Sequence, residues 1–223
     1  MRDKVPSPNS SARGAQLNRW ADDRREAVTL IFAVLILAAS PAVHASSDAR
    51  CEEHLKSLRA LTPAVMASTP DPAALADFFK ALPVDFACFN RLFGYSASDG
   101  PAPLYSEPQL YPLFPKIAAV VPRQVYAQKL FELSVNAKWE ADQTGALQDA
   151  TRSVLDTETR FVVKILSGLD AESERSVWAF LFGGPHPSNV PLSSSVQIIV
   201  CEANERSCEL SKQVYARALS EEE

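Results

Sequence analysis

Apolar residues recur every three or four positions over most of this chain, which is the pattern of amphipathic helices. The clearest repeat lies between about residues 144 and 166, where Leu147, Val154, Phe161 and Ile165 fall on one line. Weaker stripes of the same kind predict further helices at about 49–61, 71–82, 86–93, 123–143, 170–182, 194–203 and 210–218. The sequence therefore predicts an all-α fold, in which a single compact domain of about seven or eight helices covers residues 46–223.

Residues that commonly begin helices mark two of these boundaries. Asp71 followed by Pro72 combines a capping side chain with a proline in the first turn, and Ser194 with Gln197 resembles a capping box. The run from 196 to 200 is short and rich in β-branched residues, so its pattern also fits a strand. The sequence leaves the choice between helix and strand open for this run.

Residues 95–115 interrupt the helical pattern with five prolines and a glycine. Tyr95, Tyr105 and Tyr111 lie among these prolines. Prolines at this density are incompatible with a long helix or a central strand. We therefore predict an extended loop at 95–115, and loops of this length in compact domains are often functional.

The first 45 residues contain the three parts of a cleavable secretory signal peptide. Arg24 and Arg25 precede the uncharged apolar run Ala27–Ala39. Small residues follow at Val43 and Ala45, which are the two positions that a signal peptidase recognises before its cleavage site. We predict cleavage after residue 45, so that the rest of the chain is exported to the periplasm or secreted. The apolar run is 13 residues long. A membrane-spanning helix needs about 20 residues, so we expect no stable membrane span after processing.

Two questions about this leader stay open at the level of sequence. An uncleaved N-terminal segment that tethers the protein to the inner membrane is the alternative to cleavage. In addition, residues 1–23 are longer and more polar than a signal of this kind requires. The sequence does not decide whether they are translated.

All four cysteines follow the predicted cleavage site, and an even number of cysteines in an exported chain favours disulfides over metal binding or catalysis. We expect the pairs Cys51–Cys88 and Cys201–Cys208, which would contribute about 4 and about 2.5 kcal/mol in the chain-entropy model. The second pair requires a turn at 204–207, because residues seven apart on a straight helix have Cα atoms about 10.5 Å apart. Without that turn, the pairs would have to connect the two ends of the chain.

The charge balance bears on the kind of partner. After residue 45 the chain holds 16 basic and 23 acidic residues. Nucleic acids and anionic lipid surfaces bind clustered Lys and Arg, and a net acidic chain offers them little attraction. We therefore expect no nucleic-acid partner.

No sequence pattern predicts a catalytic site or a cofactor. Ser96 follows Gly94, but the second glycine of the hydrolase elbow and its strand-to-helix setting are missing. His54 and His186 lack a second histidine at metal-binding spacing, and the glycines do not form a phosphate-binding loop. Three carboxylate pairs lie among polar neighbours, where we expect solvated surface charge: Glu140/Asp142, Asp156/Glu158 and Glu172/Glu174.

Five residues are candidates for contact with a partner: Tyr95, Tyr105, Tyr111, Trp178 and His186. Tyrosine and tryptophan are enriched in binding hot spots, and His186 lies in a Pro-His-Pro segment that would fix its backbone. Core packing is the alternative for the aromatic residues, since aromatic stripes are often buried.

These observations favour an exported, non-catalytic protein-binding module whose partner is another envelope protein. The predicted protein is small, acidic and helical, and it has a signal peptide and disulfides. In these general properties it resembles the periplasmic immunity and inhibitor proteins that shield bacterial envelopes from hydrolytic toxins. This resemblance rests on no motif and transfers no residues. Two alternatives stay open: a small envelope hydrolase whose residues converge only in the fold, and a structural or lipid-carrying helical protein.

Overall fold

The computed structural model describes residues 40–140, 143–184 and 191–222. The predicted signal peptide lies outside these residues, apart from 40–45, and His186 lies outside them as well. The helices of the described part are α1 (Ser40–Val65), α2 (Pro72–Ala81), α3 (Phe86–Phe93), α4 (Leu110–Ala118), α5 (Arg123–Leu133), α6 (Gln143–Thr157), α7 (Thr159–Ser167), α8 (Ala171–Phe182), α9 (Ser194–Ala203) and α10 (Glu205–Glu222). Two short antiparallel strands, β1 (Tyr95–Ser96) and β2 (Gly100–Pro101), follow α3. The predicted all-α fold is confirmed.

The described part contains ten helices, which exceeds the expected seven or eight for two reasons. The strongly periodic segment at 144–166 is divided, because Glu158 leaves helical geometry at φ −126° and ψ 33° and separates α6 from α7. In addition, α4 lies partly within the predicted loop at 95–115.

That loop is therefore shorter than predicted, since its last six residues belong to α4. Pro112 is the third residue of this helix, where the missing N–H would have had no partner within the helix. Pro115 removes a single hydrogen bond from a helix that ends three residues later. Proline density excluded a long helix here, but a helix of nine residues accommodates both prolines.

The predicted helix at 123–143 was also too long, because α5 ends at Leu133. The Ser134 hydroxyl donates to the carbonyl of Leu130 at 2.8 Å, and Asn136 adopts a left-handed backbone with φ 59°. Asparagine tolerates this conformation better than most residues. The backbone N–H of Asn136 donates to Ser176 Oγ at 2.9 Å, which fixes the bend against α8.

The open question at 196–200 is answered by α9, in which this run is helical. Its cap is Ser193 rather than Ser194, because the Ser193 hydroxyl accepts the N–H of Val196 at 3.3 Å. A second start signal was read correctly: Asp71 caps α2 and accepts the N–H of Ala73 at 3.2 Å.

Residues 49–223 form one compact unit around an aromatic core. The largest fully buried side chains include Trp178, Phe78, Phe79, Phe89, Phe93, Phe131, Phe180 and Phe182. Phe86 of α3 packs on Phe180 of α8 with ring centroids 6.2 Å apart, so the early and late helices share this core. Aromatic side chains of this size remove large apolar areas from water and stabilise such a core strongly.

Both predicted disulfides are present, with Cα–Cα distances of 5.7 Å for Cys51–Cys88 and 4.5 Å for Cys201–Cys208. The turn that the second pair requires is made by Asn204 alone, which has an extended backbone between α9 and α10. Its side chain accepts the N–H of Ser207 at 2.9 Å and so caps α10. Among the described residues, no helix has both the length and the apolar character needed to cross a membrane.

Candidate binding groove

The structure separates the five predicted contact residues. Tyr95 and Tyr105 pack together beside the β1–β2 hairpin, with ring centroids 5.8 Å apart, and Tyr95 is 56% exposed. Tyr111 lies in the first turn of α4 and is 50% exposed. His186 lies outside the described residues, and its role stays a prediction.

The prediction that Trp178 contacts a partner is wrong, because its side chain is fully buried. Its ring stacks on Phe182 at 5.9 Å between centroids, and its indole N–H faces Glu174 Oε1 at 3.5 Å. The alternative of core packing was the correct one for this residue. A tryptophan within an apolar helical stripe fills the core unless another feature exposes it.

Tyr111 belongs to an open groove of about 620 Å³ between α4 and α6, which we call the α4–α6 groove. Its floor is apolar and buried, and consists of Phe114, Tyr126, Ala146, Ala150 and Val154. Tyr111, Pro115 and Ala118 form the wall on the α4 side, and Asp149, Ser153 and Thr157 form a polar rim on the α6 side. An apolar concave surface with a few polar groups at its edge is the usual form of a binding site.

The spacing of residues along α6 explains the shape of this groove. Floor residues Ala146, Ala150 and Val154 recur every four positions, and the rim residues are placed one turn apart in the same way. Positions four apart lie on one face of a helix. Because the floor side chains are small, the groove stays open between the two helices instead of being filled by α6.

Gly145 leaves room for the Tyr111 ring to lie across α6. A Cβ atom at Gly145 would lie 2.4 Å from the Tyr111 hydroxyl oxygen, so only glycine lets the phenol lie across α6. The nearest ring carbon, Cζ, would be 3.5 Å from the same Cβ, which is an ordinary contact. The hydroxyl therefore rests on the backbone of α6 while the exposed half of the ring faces solvent.

Gln143 attaches the preceding loop to the same helix. Its buried side chain accepts the N–H of Leu110 at 2.9 Å and donates to the carbonyls of Tyr105 at 2.9 Å and Pro108 at 3.1 Å. These three bonds satisfy backbone groups that the proline-rich segment cannot pair within itself. The start of α4, and with it Tyr111, is thereby held against α6.

Tyr126 closes the floor of the groove from α5. Its hydroxyl donates to the carbonyl of Phe114 at 3.3 Å, and burial raises the pKa of Tyr126 well above its ordinary value. Burial disfavours the phenolate because a charged oxygen loses its hydration. The Tyr126 phenol is therefore neutral and acts as a hydrogen-bond donor that ties α5 to α4.

Charged side chains lie at the edges of the groove. Arg123 and Glu158 form an ion pair of 3.1 Å at one end, and the arginine side chain is largely exposed. Next to the rim, Arg152 donates from Nε to the carbonyl of Leu181 at 2.7 Å, and burial lowers its pKa although Asp149 and Asp156 oppose this shift. The Arg152 guanidinium thus binds the backbone of α8 and does not line the groove.

A second cleft, of about 520 Å³, lies between α8 and α10. Arg175, Phe182 and Gly184 contribute from the α8 side, and Gln213 and Arg217 contribute from α10. Arg217 is paired with Glu221 at 2.8 Å. Gly184 is the last described residue before 185–190, which lie outside the described residues.

In the pair Glu172/Glu174, the predicted solvated environment is wrong for Glu174, whereas Glu172 is exposed. Glu174 is fully buried instead of solvated, and its Oε2 accepts Arg206 Nε at 2.8 Å. Its Oε1 accepts the hydroxyl of Ser207 at 2.5 Å. The sequence did not reveal this burial, because the neighbours of Glu174 in the sequence are polar. The arginine that neutralises its carboxylate, Arg206, lies 32 residues later in α10.

Ser96, the serine of the hydrolase alternative, is half-buried and is the last residue of β1, next to the turn of the β-hairpin. Its hydroxyl donates to Asp99 Oδ2 at 3.1 Å and lies 2.9 Å from Ser98 Oγ. These contacts are typical of a polar turn that satisfies its own backbone and side chains. Because His186 lies outside the described residues, convergence of Ser96 and His186 stays a prediction.

Comparison of the chain with models of known families, with curated proteins and with solved structures finds no match. The groove is therefore interpreted from its own geometry. The sequence analysis identified Tyr111 but missed Gln143, Gly145 and the floor of small residues. The one signal for that floor was the recurrence of alanine at 146 and 150 within the most periodic segment.

Proposed function

We propose that this protein is an exported, non-catalytic binding module that acts by contact with another protein of the cell envelope, of the immunity or inhibitor type. The observation that carries the proposal is the α4–α6 groove, in which a half-exposed tyrosine lies beside an apolar floor. This combination supports recognition of an apolar or aromatic side chain of a partner.

Pre-organisation is the physical reason that this groove suits binding. Ordering flexible groups on association costs about 0.5–1.5 kcal/mol for each side chain, and the start of α4 that carries Tyr111 is already held against α6 by the three hydrogen bonds of Gln143. Tyrosine also offers a large apolar ring with a polar tip, which is why it is enriched at the centres of interfaces. Asp149, Ser153 and Thr157 provide the polar rim that commonly surrounds such a centre.

Export to the periplasm, or secretion, is proposed on two grounds. The sequence before Ser46 has the parts of a signal peptide, and the four cysteines are joined in two disulfides. Structural disulfides persist mainly in oxidising compartments. An inner-membrane tether through the uncleaved leader is the alternative form of the same proposal, and both place the folded domain in the envelope.

Co-purification with a pair of matched variants tests the proposal. Wild-type protein, Tyr111→Ala and Ile198→Ala are each used to capture partners from envelope extract, with quantification by mass spectrometry. Ile198 is the control because it is an exposed apolar residue of α9, outside the groove. We expect one protein to be enriched by wild type and by Ile198→Ala, and to be reduced at least tenfold by Tyr111→Ala. Equal recovery by all three variants, or no enriched protein, would contradict the proposal.

A further inference from the structure

The two disulfides differ in their access to solvent. Cys51 and Cys88 are 2% and 6% exposed, so both ends of the first disulfide are inside the core. Cys208 is buried as well, but Cys201 is only partly buried, on α9. A thiolate must reach a sulfur atom before it can exchange with a disulfide. The second disulfide is therefore the more accessible of the two, through Cys201.

The accessible disulfide constrains a sharp corner between two helices. From Ser193 to Glu222 the chain contains neither glycine nor proline, and Asn204 alone interrupts the helix. On an uninterrupted helix, Cys201 and Cys208 would have Cα atoms about 10.5 Å apart, whereas they are 4.5 Å apart in the structure. The covalent bond thus adds a constraint to a corner that is also secured by hydrogen bonds around Asn204 and by the contacts of Arg206 and Ser207.

Two polar side chains at this corner bind a buried carboxylate. Arg206 and Ser207 lie within the disulfide-closed loop, and both bind Glu174 of α8. Arg206 Nη2 also donates to the carbonyls of Ser167 at 3.0 Å and Leu169 at 2.9 Å, at the end of α7. The position of the corner therefore determines whether the charge on Glu174 is compensated.

We infer that the Cys201–Cys208 disulfide is a redox-sensitive switch for the α9–α10 corner, and that a protein dithiol reduces it selectively. One thiolate of the reductant attacks Cys201 Sγ and displaces the Cys208 thiolate, which takes up a proton. The second thiol of the reductant then resolves the mixed disulfide. Two electrons and two protons pass to the protein, which gains two thiols, and the reductant becomes a disulfide.

Reduction loosens the contact between α10 and its neighbours. Without the covalent constraint, the corner can open, and Arg206 and Ser207 can move away from Glu174. Because α10 forms one side of the α8–α10 cleft through Gln213 and Arg217, the cleft changes with the corner. This switch is independent of the α4–α6 groove, in which none of these residues takes part.

Graded reduction of the full chain tests the inference. The protein is incubated with increasing dithiothreitol as the dithiol, free thiols are trapped with an alkylating reagent, and the modified cysteines are identified by peptide mass spectrometry. We expect Cys201 and Cys208 to be alkylated at a reductant concentration at least tenfold below that needed for Cys51 and Cys88. Simultaneous reduction of both disulfides, or earlier reduction of Cys51–Cys88, would overturn the inference.

Hydrogen exchange locates the structural response. In the selectively reduced protein, and in the double variant Cys201→Ser/Cys208→Ser, we expect faster amide exchange at 204–208 and 166–169, with unchanged exchange in α2 and α3. The double variant Cys51→Ser/Cys88→Ser is the matched control and is expected to leave 204–208 protected. If graded reduction opens the second disulfide without any change in exchange at 204–208, that bond is not a switch.

Discussion

At the scale of single residues, the position of the Tyr111 ring in the groove depends on a glycine of α6 that has no side chain. Gly145 lacks the Cβ that would collide with the Tyr111 hydroxyl. The sequence predicts Tyr111 as a contact residue because of its type and its proline-rich surroundings. It could not identify Gly145, because a glycine in a helical segment has no sequence signal that reveals which side chain crosses it in the fold.

Gly145→Ala should destabilise the protein by no more than about 1 kcal/mol, since the added methyl group has to displace only the Tyr111 hydroxyl, which is the far end of a half-exposed side chain. Urea unfolding measures this change. The same substitution in a Tyr111→Phe background should cost much less, because Cζ lies at an acceptable 3.5 Å once the hydroxyl is gone. An equal loss in both backgrounds would show that the ring does not lie across Gly145.

The ion pair between the buried carboxylate of Glu174 and the partly exposed guanidinium of Arg206 is a second effect at this scale. Arg206→Ala should destabilise the protein by about 3 kcal/mol, because Glu174 stays buried without its cation. Thermal and urea denaturation measure the loss. Arg217→Ala removes a surface pair with Glu221 and should leave the unfolding free energy nearly unchanged. If the two variants were equally stable, Glu174 would not be a buried charge in the native protein.

At the scale of elements, capping residues and hydrophobic periodicity predicted most helices. They failed where a helix boundary depends on contacts between residues that are far apart in the sequence. The starts at Asp71 and Ser193–Ser194 and the break near Asn204 follow from capping residues and cysteine spacing. In contrast, α4 forms in spite of two prolines because Gln143, 33 residues later, accepts the N–H of Leu110. The early end of α5 likewise depends on a bond from Asn136 to Ser176 of another helix.

The cap of α8 gives a pH-dependent prediction. Hydrogen bonds from the Ser173 hydroxyl and from the N–H groups of Ser173 and Glu172 hold the pKa of the Asp170 carboxyl below its ordinary value. A depressed carboxyl pKa stabilises the folded state above the unfolded value of about 4, and this stabilisation is lost as pH falls through the folded pKa. Asp170→Ala should therefore lower Tm at pH 7, and the difference from wild type should shrink below about pH 4.

Calorimetric scans of both proteins between pH 7 and pH 2.5 measure this difference. Asp71→Ala is a useful comparison, since Asp71 caps α2 in the same way. A Tm difference for Asp170→Ala that stayed constant over the whole range would show that the ionised carboxyl does not cap α8.

At the scale of the whole molecule, the fold class and both disulfides could be predicted from helical periodicity and from four cysteines. The expected pairing of Cys201 with Cys208 required a turn at 204–207, and the structure provides it at Asn204. The groove could not be predicted in this way. It depends on how α4 and α6 pack, and small residues such as Ala146 and Ala150 are as common in a tightly packed helix face as in an open one.

The two disulfides should contribute unequally to the stability of the molecule. Loops of different length predict a loss of about 4 kcal/mol for Cys51→Ser/Cys88→Ser and about 2.5 kcal/mol for Cys201→Ser/Cys208→Ser. Urea unfolding under non-reducing conditions compares the two double variants. The larger loss for the second pair would indicate that buried contacts at the α9–α10 corner outweigh the entropy of the unfolded chain.

The central claim is that Tyr111 touches a partner protein in the cell envelope. Replacing Tyr111 with the photoreactive residue p-benzoylphenylalanine, and Ile198 with the same residue as a control, allows cross-linking in intact host cells. The account predicts one discrete cross-linked protein for position 111 and none for position 198. Absence of a cross-link at position 111, or the same products from both positions, would contradict it.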